Sequence, residues 1–490
     1  MLGFMLFTLE EATIASVHAA FDRGTLTCRA LVEAYLARID ALDQRGPKLN
    51  AVVTINPRAL EAADELDQRR REGRTDCGAL HGIPILLKDN FDTADMPTTG
   101  SSLALKNSRP ARDAFTVRKL RAAGALVLGK TALTELAMGG TTQGSLHGQT
   151  LNPYDLTRTP GGSSGGTGAA VAANYAVFGT GSDTYQSIRS PASACALVGL
   201  RGTRGLISRS GLIPFAFSQD EAGPMARTVE DLARALDVMA GFDLADVVTE
   251  GCIGRIPKSY TAFLDYGALK GKRVGVLRQF FGTGVEHAEV NRVMARVVDT
   301  VMDAHATVID IEIPDLAALT ADVALGDYEL KAGLDKYFMA VGGEVRSFDE
   351  YVAQGTFIPL QAEQLKAAAR KSMADPEYAA ALQRRASLRK AVHGVFAQHR
   401  LDAILYPHQR RLVAKVGEDQ LERNGVLANA TGMPAITLPG GFSSPTDTAP
   451  LGVPIGVEFL GREWSEGLLI GMAAALEHAK KVRRPPVLTS

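Results

Sequence analysis

The run Gly82-Ile83-Pro84-Ile85-Leu86-Leu87-Lys88, followed by Asp89-Asn90, is apolar until it ends in a lysine. A short, unbroken apolar run bounded by turn formers reads as a strand buried on both faces. Working outward, similar runs recur at 125–128, 175–178, 274–277, 308–311, 403–406, 435–438 and 455–460, with helical patterns between them. That alternation predicts an α/β fold with helices on both faces of a sheet. Before the run, from about 9 to 70, apolar residues such as Leu31, Tyr35, Ile39 and Leu42 recur at helical spacing, so residues 1–75 are expected to be helices packed outside the sheet. Between 316 and 400 the strand signals vanish, and long helices are expected over 317–341, 360–373 and 378–399. This segment reads as a helical insertion covering the substrate pocket, since such covers often select the substrate. The α/β core would then comprise 76–315 and 401–490, closed by an amphipathic helix over 464–480, in a single domain of 490 residues.

Bulk properties narrow the function. Lys and Arg number 53 against 54 Asp and Glu, which gives no electrostatic reason to expect nucleic acid or an anionic membrane as partner. Cys28, Cys77, Cys195 and Cys252 are widely separated and form no CxxC pair, against both a disulfide scaffold and a zinc site. The nine histidines, His81, His147 and His408 among them, form neither HxH nor HExxH, so neither metal nor cofactor is expected, and His81 reads as a packing or loop contact. Met1 to Phe7 are apolar but lack a basic leader, and Glu10 and Glu11 interrupt them too early for a signal peptide. No run approaches the ~20 apolar residues of a membrane span. A cytoplasmic protein, monomer or homodimer, acting on a small molecule is the expectation.

Three segments carry chemistry. Lys88 emerges where a buried strand meets a loop, the place where α/β folds put active groups; taken alone it would be a solvated strand-end lysine. To accept a proton at neutral pH its pKa must fall from ~10.4 to near 7, a differential of about 4.6 kcal/mol that burial and dipoles can supply. Pro160-Gly161-Gly162-Ser163-Ser164-Gly165-Gly166 resembles a phosphate cradle but matches neither GxxxxGK[ST] nor GxGxxG. Its glycines instead allow an unusual turn that points a serine hydroxyl inward, with a helix expected over 167–175 behind it. In Gly181-Ser182-Asp183-Thr184-Tyr185-Gln186-Ser187-Ile188-Arg189, Ser187 falls on a loop beyond the strand expected to end at Phe178. A lone serine there would be a turn former. A serine is also a weak nucleophile without a base, so the three segments make sense together.

Together they resemble the amidase signature family, with 161–210 matching its signature region and similarity reaching the closing Gly452-Val453-Pro454-Ile455-Gly456-Val457-Glu458-Phe459-Leu460-Gly461. The resemblance implies a large mixed, twisted β-sheet flanked by helices. It implies Ser187 as nucleophile, Ser163 as a bridging serine after a cis peptide bond, Lys88 as base, and Ser164, Asp183 and Arg189 as supports. The bland reading of Asp183 and Arg189 is a surface ion pair, worth little. It also implies an oxyanion hole of backbone N–H groups, here those of Thr184, Tyr185, Gln186 and Ser187. At this point the chain departs from the family's usual Gly-Gly-Ser, reading Tyr185-Gln186-Ser187. Backbone donors survive any substitution except proline, but the two side chains must either brace the loop from behind or enter the acyl pocket.

The reading that follows is a hydrolase of C–N bonds in small, uncharged amides, extending to carbamates (urethanes) and esters, through an acyl-enzyme on Ser187. A bulky or aryl substrate is suggested by Leu325, Tyr328, Leu334, Tyr337, Phe338 and Phe357 in the insertion. Two alternatives stand beside it: the glutaminase-type subunit of an aminoacyl-tRNA amidotransferase, and an inactive family member that only binds a ligand or partner.

Overall fold

The computed structural model describes residues 7–73 and 78–489, so Cys77 and the first six residues of the apolar N-terminus lie outside it. In chain order the strands are β1 (Val52–Ile55), β2 (Pro84–Lys88), β3 (Leu126–Thr131), the small ribbon β4 (Gln143–Gly144) and β5 (Gly148–Gln149), β6 (Phe178–Asp183), β7 (Val198–Arg201), β8 (Glu221–Ala226), β9 (Arg273–Leu277), β10 (Thr307–Ile311), β11 (Ala403–Pro407), β12 (Ala435–Phe442) and β13 (Pro454–Leu460). Eleven of them form one sheet in the order β1-β3-β2-β6-β8-β7-β12-β13-β11-β9-β10. The β3, β2 and β6 strands run parallel, as do β11, β9 and β10, while the strands from β6 to β11 alternate in direction. The expected large mixed sheet is therefore present.

Helices cover both faces, and small residues decide how closely. A Cβ on Gly179, Gly181, Gly199 or Gly223 would fall within 2.1–2.9 Å of Thr167, Ile188, Ala192 or the Leu200 carbonyl. Those glycines let the helices Gly165–Ala172 and Arg189–Ala194 lie almost on the strands, where Val171, Ile188, Ala192 and Met225 form one apolar layer. On the opposite face Val198, Leu200, Ala222 and Ala226 pack with Leu232 and Leu236 of the helix Val229–Met239. The sheet is thereby dry on both sides where it carries the site.

Several elements differ from expectation. The strand expected over 175–178 begins at Phe178 and continues to Asp183, because Gly179 and Gly181 are strand residues chosen for close packing rather than for propensity. The helix expected over 167–175 ends at Ala172, with Asn174 at φ +61° turning the chain. Strands β1, β7 and β8 carry no recognisable signal: β1 lies within the stretch read as helices, and β8 contains Gly223 and Pro224. The 316–400 segment has no strand among its described residues; its first helix is divided into Leu316–Thr320 and Gly326–Val341, and Phe348–Gln354, Ala362–Arg370 and Pro376–Gln398 follow. Leu334, Tyr337 and Phe338 are buried with Phe215, Leu136 and Met138 in a cluster that fastens these helices to the core. Leu325 is buried as well. Apolar side chains that suggested a bulky substrate thus hold these helices against the core.

No helix among the described residues is long and apolar enough to cross a membrane. Cys28, Cys195 and Cys252 are free and buried.

Candidate active site

The site lies beyond the C-terminal ends of β2 and β6, which run parallel and side by side. Lys88, the last residue of β2, is fully buried. Its Nζ donates to Ser163 Oγ at 2.8 Å, to Ser182 Oγ at 2.8 Å and to the Ser182 carbonyl at 3.3 Å. No carboxylate forms an ion pair with it among the described residues. Burial accordingly pushes Lys88 down to about 7, against the pull of Asp183 and Asp220. A neutral amine can keep both bonds to Ser182 and turn its lone pair to Ser163.

Ser163 is held by its turn. The Gly162–Ser163 peptide is cis. Thr142 Oγ1 donates to the Gly161 carbonyl at 2.7 Å and accepts from the Gly165 amide at 3.1 Å, while the Thr134 amide donates to the Ser163 carbonyl at 3.1 Å. Ser187 lies in the loop after β6, and its carbonyl accepts from the Ser164 amide at 3.2 Å, tying the two serine loops together. Ser164 Oγ donates to the Ser182 carbonyl at 3.2 Å. No hydrogen bond joins Ser163 Oγ to Ser187 Oγ among the described residues, as is common before a substrate draws such groups together.

The nucleophile loop is fixed from beneath by charge. Asp183 and Arg189 are fully buried, contrary to the surface-pair reading. Asp183 accepts from the Ile188 amide at 3.1 Å, Arg189 Nε at 3.1 Å and Arg201 at 2.8 Å. Burial alone would raise Asp183, but Arg189 and Arg201 outweigh it and hold the carboxyl well below the usual range. Arg189 also donates to the Tyr185 carbonyl at 2.7 Å and to Glu458 at 2.7 Å. Glu458, within β13, further accepts from Tyr406, His408 and Thr437, so three strands anchor the loop.

The amides of Thr184, Tyr185, Gln186 and Ser187 donate to no protein acceptor among the described residues. These consecutive N–H groups are therefore available to an acceptor from outside the protein. The departures Tyr185 and Gln186 are engaged elsewhere: Tyr185 Oη accepts from the Gly326 amide at 3.1 Å with its ring edge-on to Phe215, and Gln186 Oε1 accepts from the Gly425 amide at 3.1 Å. Thr184 Oγ1 donates to Asp220 at 2.6 Å.

Sequence reasoning missed Ser182, Asn90, whose Nδ2 donates to Ser182 Oγ at 2.9 Å, Thr142, Arg201, Asp220 and Glu458. Ser182, Asn90 and Glu458 lie inside the stretches quoted from the sequence; the others carry no local signal, because their partners are remote in sequence. No group of three or more His, Cys, Asp or Glu among the described residues could hold a metal ion. His408 is bonded to Glu458 at 2.7 Å, and burial pushes His147 down to about 4.

The amidase family model matches residues 30–470. This chain belongs to the amidase (amidase signature) family. Among its relatives, the glutamyl-tRNA(Gln) amidotransferase subunit of Thermoanaerobacter pseudethanolicus is 34% identical, with 98% of each chain covered. A probable amidase of Arabidopsis thaliana is also 34% identical, over 98% of this chain and 92% of that one. Among solved structures, the native peptide amidase of Stenotrophomonas maltophilia superimposes with a TM-score of 0.90 at 39% identity, covering 99% of this chain and 100% of that one. The corresponding glutamyl-tRNA(Gln) amidotransferase subunit of Thermotoga maritima gives 0.76 at 27%, with 99% of each covered. The chain is thus an amidase-family enzyme acting on C–N bonds.

Proposed function

We propose that the chain hydrolyses small, uncharged amides through an acyl-enzyme on Ser187, with Ser163 as proton bridge and Lys88 as base. The observation that carries this reading is the 2.8 Å bond from a buried Lys88 Nζ, free of any carboxylate partner, to Ser163 Oγ. Ser187 Oγ attacks the carbonyl carbon and forms a C–O bond. Its proton passes to Ser163, whose own proton goes to Lys88. The four free amides receive the oxyanion. Collapse breaks the C–N bond as the proton returns through Ser163 to the leaving nitrogen, and water then cleaves the acyl-enzyme by the same relay, releasing the acid and restoring Ser187. Esters and carbamates differ only in the leaving group or in what remains on Ser187, so they are open to the same route.

A glutaminase component of an amidotransferase remains the second reading, favoured by the curated relatives of that name. The higher identity and TM-score of the peptide amidase weigh on the other side. The experiment is a panel of aryl amides, esters, carbamates and glutamine, with mass detection of the acyl-enzyme and fluorophosphonate labelling of Ser187. Turnover of neutral amides by the chain alone, lost with the label in Ser187→Ala, is expected. Glutamine turnover without amide turnover would move the assignment to the amidotransferase component, and absence of labelling would make the chain a binding protein.

A further inference from the structure

One cation at the site stands apart from the others. Arg423 makes no hydrogen bond or ion pair through its side chain among the described residues. Other arginines around the Ser187 loop are engaged: Arg189 bonds Asp183, Glu458 and two carbonyls, Arg201 bonds Asp183 and the Gln219 carbonyl, and Arg385 bonds the Val323 and Asn429 carbonyls. Asp183, whose charge acts on Arg423 from a distance, is already in contact with two other guanidinium groups, so Arg423 has no carboxylate in contact with it among the described residues. Burial weakens its hold on the proton, lowering it to about 10, so it remains charged at neutral pH.

Its place is defined. The backbone of Arg423 forms a bridge with Gln409; beside it, the Asn424 amide donates to the His408 carbonyl at 2.8 Å and Asn424 Nδ2 to the carbonyls of Phe280 and Pro407 at 2.9 and 2.8 Å. The following Gly425 is the residue whose amide meets Gln186 in the nucleophile loop. On the other side the guanidinium lies against Gly140: a Cβ there would meet its Nη1, Cζ and Nη2 at 2.4–2.9 Å. Gly140 in turn packs on Gly162, the residue before Ser163. The group therefore stands between the Ser163 turn and the Ser187 loop, half-buried and open to solvent, on a backbone held at both sides.

We propose that Arg423 binds an oxygen acceptor carried by the acyl part of the substrate, either a second carbonyl or a carboxylate. This rests on the amidase reading above. A planar donor on a held backbone, without a protein acceptor, suits such oxygens, and Gly140 leaves room beside it.

The test uses three p-nitroanilides of equal acyl length: one without a second oxygen, one with an amide carbonyl and one with a terminal carboxylate. Arg423→Gln is expected to lower kcat/KM about tenfold or more, chiefly through KM, on substrates whose oxygen Arg423 binds, and less than about twofold on the plain acyl chain. Loss confined to the carboxylate substrate identifies an acidic acyl group, and loss confined to the carbonyl substrate an acylamino group; Arg423→Lys should restore the first better than the second. An equal loss on all three, or no loss, overturns the proposal. Calorimetric binding of the same three amides to Ser187→Ala, with and without Arg423→Gln, reads the preference without turnover. Failure of the amidase reading is distinct, since it appears as absence of fluorophosphonate labelling at Ser187 in the otherwise unaltered chain.

Discussion

Lys88 and Lys130 lie on adjacent strands, one register step apart, and both side chains are fully buried. Their surroundings differ in one respect. Lys130 Nζ is 3.2 Å from Asp89 Oδ1 and also bonds Thr98 Oγ1 and the Pro97 carbonyl, whereas Lys88 meets only hydroxyls and a carbonyl. Burial lowers both; at Lys130 the opposing carboxylate, Asp89, is in contact, whereas at Lys88 Asp183 and Asp220 oppose from a distance and burial brings the amine to about 7. Both amines are thus buried alike, and what separates them is the carboxylate in contact with Lys130 and the hydroxyls in contact with Lys88. One lysine ties the β3 end to the Asp89 turn; its neighbour is the one proposed to exchange a proton with Ser163.

The comparison breaks first at Lys88. Lys88→Met should cost about 10⁴-fold or more in kcat/KM, as removal of a member of a catalytic unit generally does. Its stability should not fall in parallel. The folded pKa of Lys88 lies below that of an unfolded lysine, so the unfolded chain binds more protons between about pH 7 and 10.4, and stability rises with pH across that window. Below pH 7 the full burial penalty is present, and there the melting temperature of Lys88→Met should equal or exceed that of the parent. Calorimetry at pH 6 beside a kinetic assay checks both; retained activity would place the base elsewhere.

Lys130→Met should do the reverse. It leaves Asp89 buried without its partner, a change worth about 3 kcal/mol or more of stability. Melting temperature should drop clearly, while kcat/KM per folded molecule stays within about tenfold of the parent. A folded Lys130→Met without activity would erase the distinction between the two lysines.

The pH profile sharpens the same contrast. With Lys88 needing to be neutral, kcat/KM should fall about tenfold per unit below its midpoint near 7 and level off above it. Lys130→Met should keep that midpoint. A profile flat down to pH 5, with chemistry limiting, contradicts the assignment of Lys88 as base.

The legibility of these parts follows the range of the interactions. Strand β2 was readable because every residue from Ile83 to Leu87 is buried, so composition alone reports it. Strands β6 and β8 were misread or missed because their glycines admit close approach of neighbouring elements and β8 also carries Pro224, and a local reading counts both residue types as breakers. Lys88, Ser163 and Ser187 could be singled out because the proposed chemistry needs them together and the resemblance supplied their order. Arg201, Glu458 and Arg423 were not, since each acts across a separation of strands that no window along the chain contains. The fate of Tyr185 and Gln186 was left open for a similar reason: their partners, Gly326 and Gly425, lie far along the chain.

Those two side chains give the smallest effect and the finest test. Tyr185→Phe retains the ring on Phe215 and removes only the acceptor for the Gly326 amide. A single neutral hydrogen bond contributes about 1 kcal/mol, so a loss of roughly fivefold is expected. The free amides of this loop are proposed to meet the oxyanion, which exists after substrate is bound, so the loss should appear in kcat with KM little changed. If KM rises and kcat holds, Tyr185 lines the acyl pocket, and the contact with Gly326 is then a means of shaping the substrate's entry. A kcat effect instead joins the cover to the chemistry, because Gln219, which donates to the Thr184 carbonyl at 3.3 Å, also accepts from the Leu325 amide at 2.8 Å. Two bonds, one through Tyr185 and one through Gln219, would then transmit the position of the helical segment to the amides that hold the charge.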